Sequence, residues 1–207
     1  MNASDLLTDV RAYYTGRIGA HGSTPRGVDW NSAVSQETRF AQLIRVCDEA
    51  GPFTLGDYGC GYAALYDHLL AGGRDCAYRG FDISEAMLEA ARGRHGGDAR
   101  AAFGADESVL ADSDFVVASG VFNVKLERSL AEWEAYVLHT IERLADLGRR
   151  GFAFNALTSY SDPERMRADL YYANPCTLFD HCKRRFSRHV ALLHDYGLYE
   201  FTILVRR

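Results

Sequence analysis

An α/β fold is what this sequence predicts: a seven-stranded mixed sheet with helices on both faces and an antiparallel hairpin at the carboxyl end. Three observations carry the prediction. Across 53–147, short apolar runs of strand type alternate with segments of helical period, the pattern of a parallel sheet covered by helices. A glycine-rich bend, Gly59-Cys60-Gly61, directly follows the first such run. The tail RHVALLHDYGLYEFTILVRR holds two strand-type runs around Gly197 with no room for a helical crossover, so they must pair antiparallel.

In chain order, the stretch 17–32 (RIGAHGSTPRGVDWNS) is rich in Gly, Ser and Pro without any period and predicts a long loop of functional character. Strands are expected over 53–58, 76–82, 100–104 and 114–120, each closing near a Gly or an Asp. Ser84 predicts an N-cap for a helix through EAMLEAARGR, whose Met87, Leu88 and Ala91 share one side and which ends at Gly96-Gly97. From Leu130 to Leu147 the apolar stripe Trp133, Val137, Ile141 and Leu144 predicts a long helix stopped at Gly148. A fifth strand follows over 149–157. Two helices should then start at the cap-and-proline pairs Asp162-Pro163 and Asn174-Pro175.

At 207 residues with 47% apolar side chains, the chain can bury one sizeable core, and a single domain is expected over 1–207. Within it, 1–50 reads as a helical and loop cap, 51–157 as the core, 158–186 as a helical insert and 187–207 as the hairpin. The 28 acidic against 23 basic side chains give a net charge of −5, with no basic face to collect phosphates, so nucleic acid is excluded as a partner. Five cysteines without a CxxC pair support buried thiols in a reducing compartment and no zinc or other metal site. The amino terminus lacks a cationic then apolar leader, and no run approaches the ~20 apolar residues of a membrane span. A cytoplasmic protein with no membrane partner is expected.

Gly59, Gly61 and Ala64 sit close to the dinucleotide spacing, and Asp82 stands where a ribose-binding acid would fall, 21 residues after Gly61. A nicotinamide cofactor, and a plain tight turn into the next helix, are therefore both open readings. A Walker-type phosphate loop is excluded, because no Gly-Lys-Ser/Thr follows. Against a pyrophosphate stands Asp57, two residues before the first glycine, whose carboxylate would repel it. A cationic ligand suits the bend better.

These residues resemble the class I S-adenosylmethionine-dependent methyltransferases. Asp57-Tyr58-Gly59-Cys60-Gly61 is similar to the family's acidic-x-Gly-x-Gly motif, and Gly80-Phe81-Asp82-Ile83-Ser84 to its second, whose acid holds the ribose hydroxyls. Phe103-Gly104-Ala105-Asp106 resembles the adenine-facing third motif, and 114–120 with Val121-Phe122-Asn123 the fourth-strand motif beneath the methionine part. Ala63 departs from the family where many members carry a third glycine, which should slightly widen the turn. The resemblance implies a Rossmann-like fold, S-adenosylmethionine as cofactor with S-adenosylhomocysteine as product, and cofactor contacts from Asp57, Tyr58, Gly59, Gly61, Asp82, Ile83, Met87, Ala105, Asp106, Ser119 and Gly120. The physical chemistry agrees: Asp57 complements positive charge at the bend, Asp82 accepts from ribose, and Asp106, Ile83 and Met87 offer adenine an acceptor and apolar walls.

The acceptor is expected beneath the irregular amino-terminal stretch and the insert before the hairpin. Tyr13, Tyr14, Trp30, Tyr160, Tyr171 and Tyr172 supply flat walls that exclude water and face a sulfonium, with ordinary core packing as the alternative for each. Arg17, Arg26 and Arg39 are candidates for a carboxylate, Arg26 above all for its place in the loop. His21, with His194 behind it, is the candidate base. No Asp/Asn-Pro-Pro-Tyr/Phe run follows the fourth strand, where Ser119-Gly120-Val121-Phe122 stands, which with the acidic charge points to a small-molecule acceptor. An NAD(P)-dependent oxidoreductase and a non-catalytic adenosyl-binding protein are the competing functions.

Overall fold

In the computed structural model, residues 3–47 and 51–207 are described, with side chains from residue 7 onward; residues 1–2 and 48–50 of the expected cap lie outside that range. Eight strands form one sheet: β1 Phe53–Tyr58, β2 Cys76–Phe81, β3 Ala101–Gly104, β4 Phe115–Ala118, β5 Gly151–Thr158, β6 Tyr172–Ala173, β7 His189–Leu193 and β8 Glu200–Arg206. Their order is β3-β2-β1-β4-β5-β8-β7, and β6 is a two-residue parallel addition to β5 that the sequence did not announce. The first five strands run parallel, while β8 pairs antiparallel with both β5 and β7, as the crowded tail requires.

Among the described residues six helices cover the sheet: α1 Ala3–His21, α2 Ala33–Leu43, α3 Ala64–Ala71, α4 Glu85–His95, α5 Leu130–Leu147 and α6 Pro175–Arg185. Successive strand residues point to opposite faces, so the sheet feeds two cores. On one face Val116, Phe152, Phe154 and Ile203 pack against Trp133, Val137, Ile141 and Leu144 of α5, together with Leu178 of α6. On the other, Phe115, Val117, Ala153 and Leu204 meet Phe40 and Leu43 of α2, Leu65 and Leu69 of α3 and Leu88 of α4. Among the described residues no helix is long and apolar enough to cross a membrane.

Four local expectations change. The stretch 17–32 is not one loop: α1 runs on to His21 through Gly16 and Gly19, because Tyr14 and Ile18 pack with Tyr62 and Met87, and that packing overrides the glycines' low helix propensity. Val28 packs there too, and 25–28 forms a single 3-10 turn. Ser84 stands at the N-cap of α4, yet its hydroxyl pairs with Thr15 on α1 at 2.8 Å, and it is Asp82 that accepts from the Ser84 amide. Asp162-Pro163 opens only a 3-10 turn, Pro163–Arg165, without a side-chain cap, whereas Asn174 caps α6 by accepting from Cys176 and Thr177. The fourth strand stops at Ala118, so that Ser119 and Gly120 leave the sheet and wall a cavity.

The chain leaves β1 toward β2 on one side and reaches β4 on the other. The carboxyl ends of β1 and β4 therefore flank the switch point at which open α/β sheets leave a crevice.

Candidate active site

At the end of β1 the chain turns sharply, with Gly59 at φ +80° and Gly61 at φ +54°, a region that side chains disfavour. The turn is tied to the tip of β2: the Gly59 and Cys60 amides both donate to the Phe81 carbonyl, at 2.8 and 2.9 Å, and the Gly61 amide donates to Asp82 Oδ2 at 2.9 Å. Three N–H groups that a pyrophosphate would need are thus already committed to the protein. Two carboxylates, Asp57 and Asp82, stand in their place.

Both carboxylates are buried, at 2% and 8% exposure. Burial pushes Asp57 up to about 7, opposed by the Tyr78 hydroxyl, which donates to Oδ2, and reinforced by the neighbouring charge of Asp82. Burial likewise pushes Asp82 up to about 6, opposed by the Ser84 and Gly61 amides. Among the described residues Asp57 Oδ1 has no hydrogen-bond partner, and neither does the buried Ser119 Oγ; both residues border the same void of about 30 Å³ above the bend. Two orphaned oxygens, one of them on a buried carboxylate, are chemically complementary to a cation with N–H donors, whose charge would draw that carboxylate into its ionised form.

Two further cavities meet over this bend. The first, about 90 Å³, lies between α1 and the strand tips and is walled by Tyr58, Phe81, Asp82, Ile83, Met87 and Ser119. The second, about 630 Å³, opens toward the insert and the hairpin turn. Tyr14, Val28, Trp30 and Gly120 belong to both and form the partition. Gly120 adopts φ +74°, and a Cβ there would lie 2.4 Å from the Trp30 indole, so only glycine lets the ring rest on this turn.

A closed ring of buried groups supports that partition. The Gly120 amide donates to Asn155 Oδ1 at 2.7 Å, and Asn155 Nδ2 donates to Glu200 Oε2 at 3.0 Å. Arg39 grips Glu200 with Nε and Nη2 at 2.7 and 2.6 Å, and its guanidinium lies 3.9 Å from the Trp30 ring centre, which returns the ring to Gly120. Four elements and the cap are thereby fixed around one aromatic plate.

No protein-family model matches the chain. Over 164 residues, 79% of this chain and 99% of the other, it is 53% identical to Putative methyltransferase Rv1506c of Mycobacterium tuberculosis strain H37Rv. The chain belongs to the methyltransferase family of that relative. Solved methyltransferases share its fold. Magnesium protoporphyrin IX methyltransferase from Synechocystis PCC 6803, with bound S-adenosylhomocysteine, superposes at TM-score 0.63 and 18% identity over 97% of this chain and 99% of that one. N-methyltransferase NodS from Bradyrhizobium japonicum WM9, also with S-adenosylhomocysteine, gives 0.66 at 15% identity over 95% and 97%. Human N-acetylserotonin methyltransferase with S-adenosylmethionine gives 0.67 at 14% identity, over 100% of this chain and 60% of that one.

In this methyltransferase the smaller cavity gathers Tyr58, Gly59, Gly61, Asp82, Ile83, Met87, Ser119 and Gly120 from the residues expected around the cofactor, with Asp57 just beneath. Ala105 and Asp106 are exposed and outside its wall; the Asp106 carboxylate accepts from the Ser108 amide and caps a 3-10 turn. Of the aromatic candidates, Tyr14, Trp30 and Tyr172 border the larger cavity. Tyr13 donates to Asp29 at 2.8 Å, Tyr171 is buried in the core, and Tyr160 is 67% exposed beside His194. His21 ends α1 on the surface, Arg26 is exposed on the 3-10 turn, and neither borders a cavity described above. Arg17 pairs with Asp29 at 2.6 Å, whereas Arg39 is buried in the cavity wall.

Sequence reasoning missed Asn155, Glu200, Tyr78 and Val28. A faint signal existed for the first two, since Asn155 interrupts the apolar run GFAFNAL and Glu200 opens the last strand.

Proposed function

We propose that this methyltransferase moves the methyl group of S-adenosylmethionine to a small-molecule acceptor in the larger cavity and releases S-adenosylhomocysteine. The observation that carries this reading is the pair of orphaned oxygens, Asp57 Oδ1 and Ser119 Oγ, at the bend beside a second cavity that shares its partition. S-adenosylmethionine, when bound, supplies a methyl on a positively charged sulfur and an ammonium group. Asp57 and Ser119 would hold the ammonium, Asp82 the ribose hydroxyls, and Ile83 and Met87 the adenine. Tyr14 and Trp30 keep water from the partition and align what lies on either side of it, which is most of what an in-line displacement asks of a protein.

The two spaces at the bend, about 90 and 30 Å³, are far below the roughly 300 Å³ of an ordinary ligand site. Val28 over Gly61 and Trp30 over Gly120 fill the difference. The Val28 side chain over Gly61 therefore gives way when the donor binds, while Trp30 keeps its seat on Gly120 as the partition. The acidic net charge supports a small acceptor over nucleic acid, and five cysteines without a CxxC pair support a reducing, cytoplasmic setting.

Calorimetry with S-adenosylhomocysteine, NAD and NADP tests the donor, and a labelled-methyl screen over acceptor classes tests the transfer. Micromolar-range binding of S-adenosylhomocysteine with a change in Trp30 fluorescence is expected. Preference for a nicotinamide dinucleotide sinks the reading, and binding without transfer to any acceptor leaves a non-catalytic adenosyl-binding protein.

A further inference from the structure

We infer that the larger cavity is built for an acceptor that carries an oxyanion, a carboxylate or a phosphate, engaged by Arg39 and Arg165; this rests on reading that cavity as the acceptor site. The argument is an account of who is already satisfied. Two carboxylates line the cavity, and both are saturated by the protein. Asp29 takes Arg17 on one oxygen at 2.6 Å and the Tyr13 hydroxyl on the other at 2.8 Å. Glu200 takes Arg39 Nη2 on Oε1, and Arg39 Nε with Asn155 Nδ2 on Oε2.

Three guanidinium groups line the same space, and they are not all satisfied. Arg167 is occupied by Asp169 through two nitrogens. Arg39, only 7% exposed, keeps Nη1 without a hydrogen-bond partner among the described residues, and a buried N–H without an acceptor is a standing penalty that a ligand oxygen removes. Arg165 meets Asp162 only in a loose ion pair, Nε at 3.8 Å and beyond hydrogen-bond reach, lies over the Tyr199 ring at 5.7 Å, and keeps its side chain 67% exposed at the mouth. The wall thus offers surplus cationic donors and no surplus carboxylate. A cationic acceptor finds no counter-charge there, whereas an oxyanion meets one guanidinium at the floor and another at the rim.

Trp30 covers the Arg39 guanidinium, so arrival of the oxyanion is read in indole fluorescence. The experiment uses the full chain saturated with S-adenosylhomocysteine and four probes: 4-hydroxybenzoate, phenyl phosphate, the neutral 4-hydroxybenzamide and the cationic tyramine. At least one oxyanion should bind about tenfold tighter than the amide or the amine, and the better of the two identifies the group. Arg165→Gln should remove that preference, with amide binding and thermal midpoint unchanged; this exposed position keeps the test sound even where Arg39→Lys fails to fold. Equal binding of amide or amine, no saturable oxyanion binding, or a preference that survives Arg165→Gln overturns the inference. Failure of S-adenosylhomocysteine to bind takes down the donor reading and this inference with it, whereas donor binding without oxyanion preference takes down this inference alone.

Discussion

Between about pH 8 and about pH 6, a proton and the donor's positive charge compete for one buried carboxylate. Asp57 sits near 7 because burial disfavours its charged form, and binding of a cation requires that form. With that midpoint the carboxylate is about nine-tenths ionised at the upper pH and about one-tenth at the lower, so S-adenosylhomocysteine should bind about tenfold more weakly at the lower, a loss of ~1.4 kcal/mol. Near neutrality roughly half a proton should leave as the ligand binds. Calorimetry in buffers of different ionisation enthalpy reads both quantities. Affinity that is flat across this range, or proton uptake, would refute the reasoning.

The same group acts on the unliganded protein with the opposite sense. Its folded pKa lies above the ordinary 3.8, so the folded state holds the proton more tightly than the unfolded chain. Its contribution is intact below about pH 4 and is lost as the pH climbs to about 7, by an amount on the order of 4 kcal/mol. Asp57→Asn should therefore raise the unliganded melting temperature at alkaline pH, while it weakens the ligand and removes the part of the pH dependence centred near 7, leaving the part that Asp82 contributes near 6.

Three further substitutions probe the scaffold. Ala63 opens α3 at φ +63°, strained for any side chain, so Ala63→Gly should gain up to about 1 kcal/mol in a urea titration; a loss would mean that the methyl's packing outweighs the strain. Gly120→Ala drives a Cβ into Trp30 and should lower stability by about 2 kcal/mol or more, with donor binding lost alongside; a wild-type melting curve would remove Trp30 from that turn. Glu200→Ala strands the Arg39 guanidinium in the interior and should cost about 3–5 kcal/mol by chemical denaturation, far beyond the median of a surface pair, and a cost under ~1 kcal/mol would show that water reaches this site.

The bend and the cavity over it were legible because their signals are local. Glycines at 59 and 61 and the acid at 82 sit at fixed offsets from strand ends, and strand ends show in the apolar runs. Ala63 shows the limit of pattern: where the sequence predicts a slightly wider turn, the residue takes up the left-handed conformation that a glycine adopts readily. The acceptor side was less legible. Arg39 and Glu200 are 161 residues apart, and nothing in either neighbourhood tells a buried fork from a solvated charge. The helix that absorbed 17–21 was hidden for a related reason, since the packing of Tyr14 and Ile18 that holds it depends on partners brought in by the sheet.

The polarity across the partition gives these scattered residues a common logic. On one side of Trp30 and Gly120 the unmet groups are oxygens, Asp57 Oδ1 and Ser119 Oγ; on the other, the unmet group is the nitrogen Arg39 Nη1. Glu200 and Asn155 join the two sides through neutralised contacts, so that each polarity persists without collapsing onto the other. A protein with this arrangement draws a cation to one face and an oxyanion to the opposite face of a single aromatic wall. Reversing that polarity at the acceptor mouth, by Arg165→Glu, should therefore turn the acceptor preference from oxyanion toward amine while donor affinity stays within about twofold, because Arg165 borders only the larger cavity and its charge is screened by solvent on the way to the bend. A donor affinity that moved together with the acceptor preference would mean that the two faces share one field rather than two.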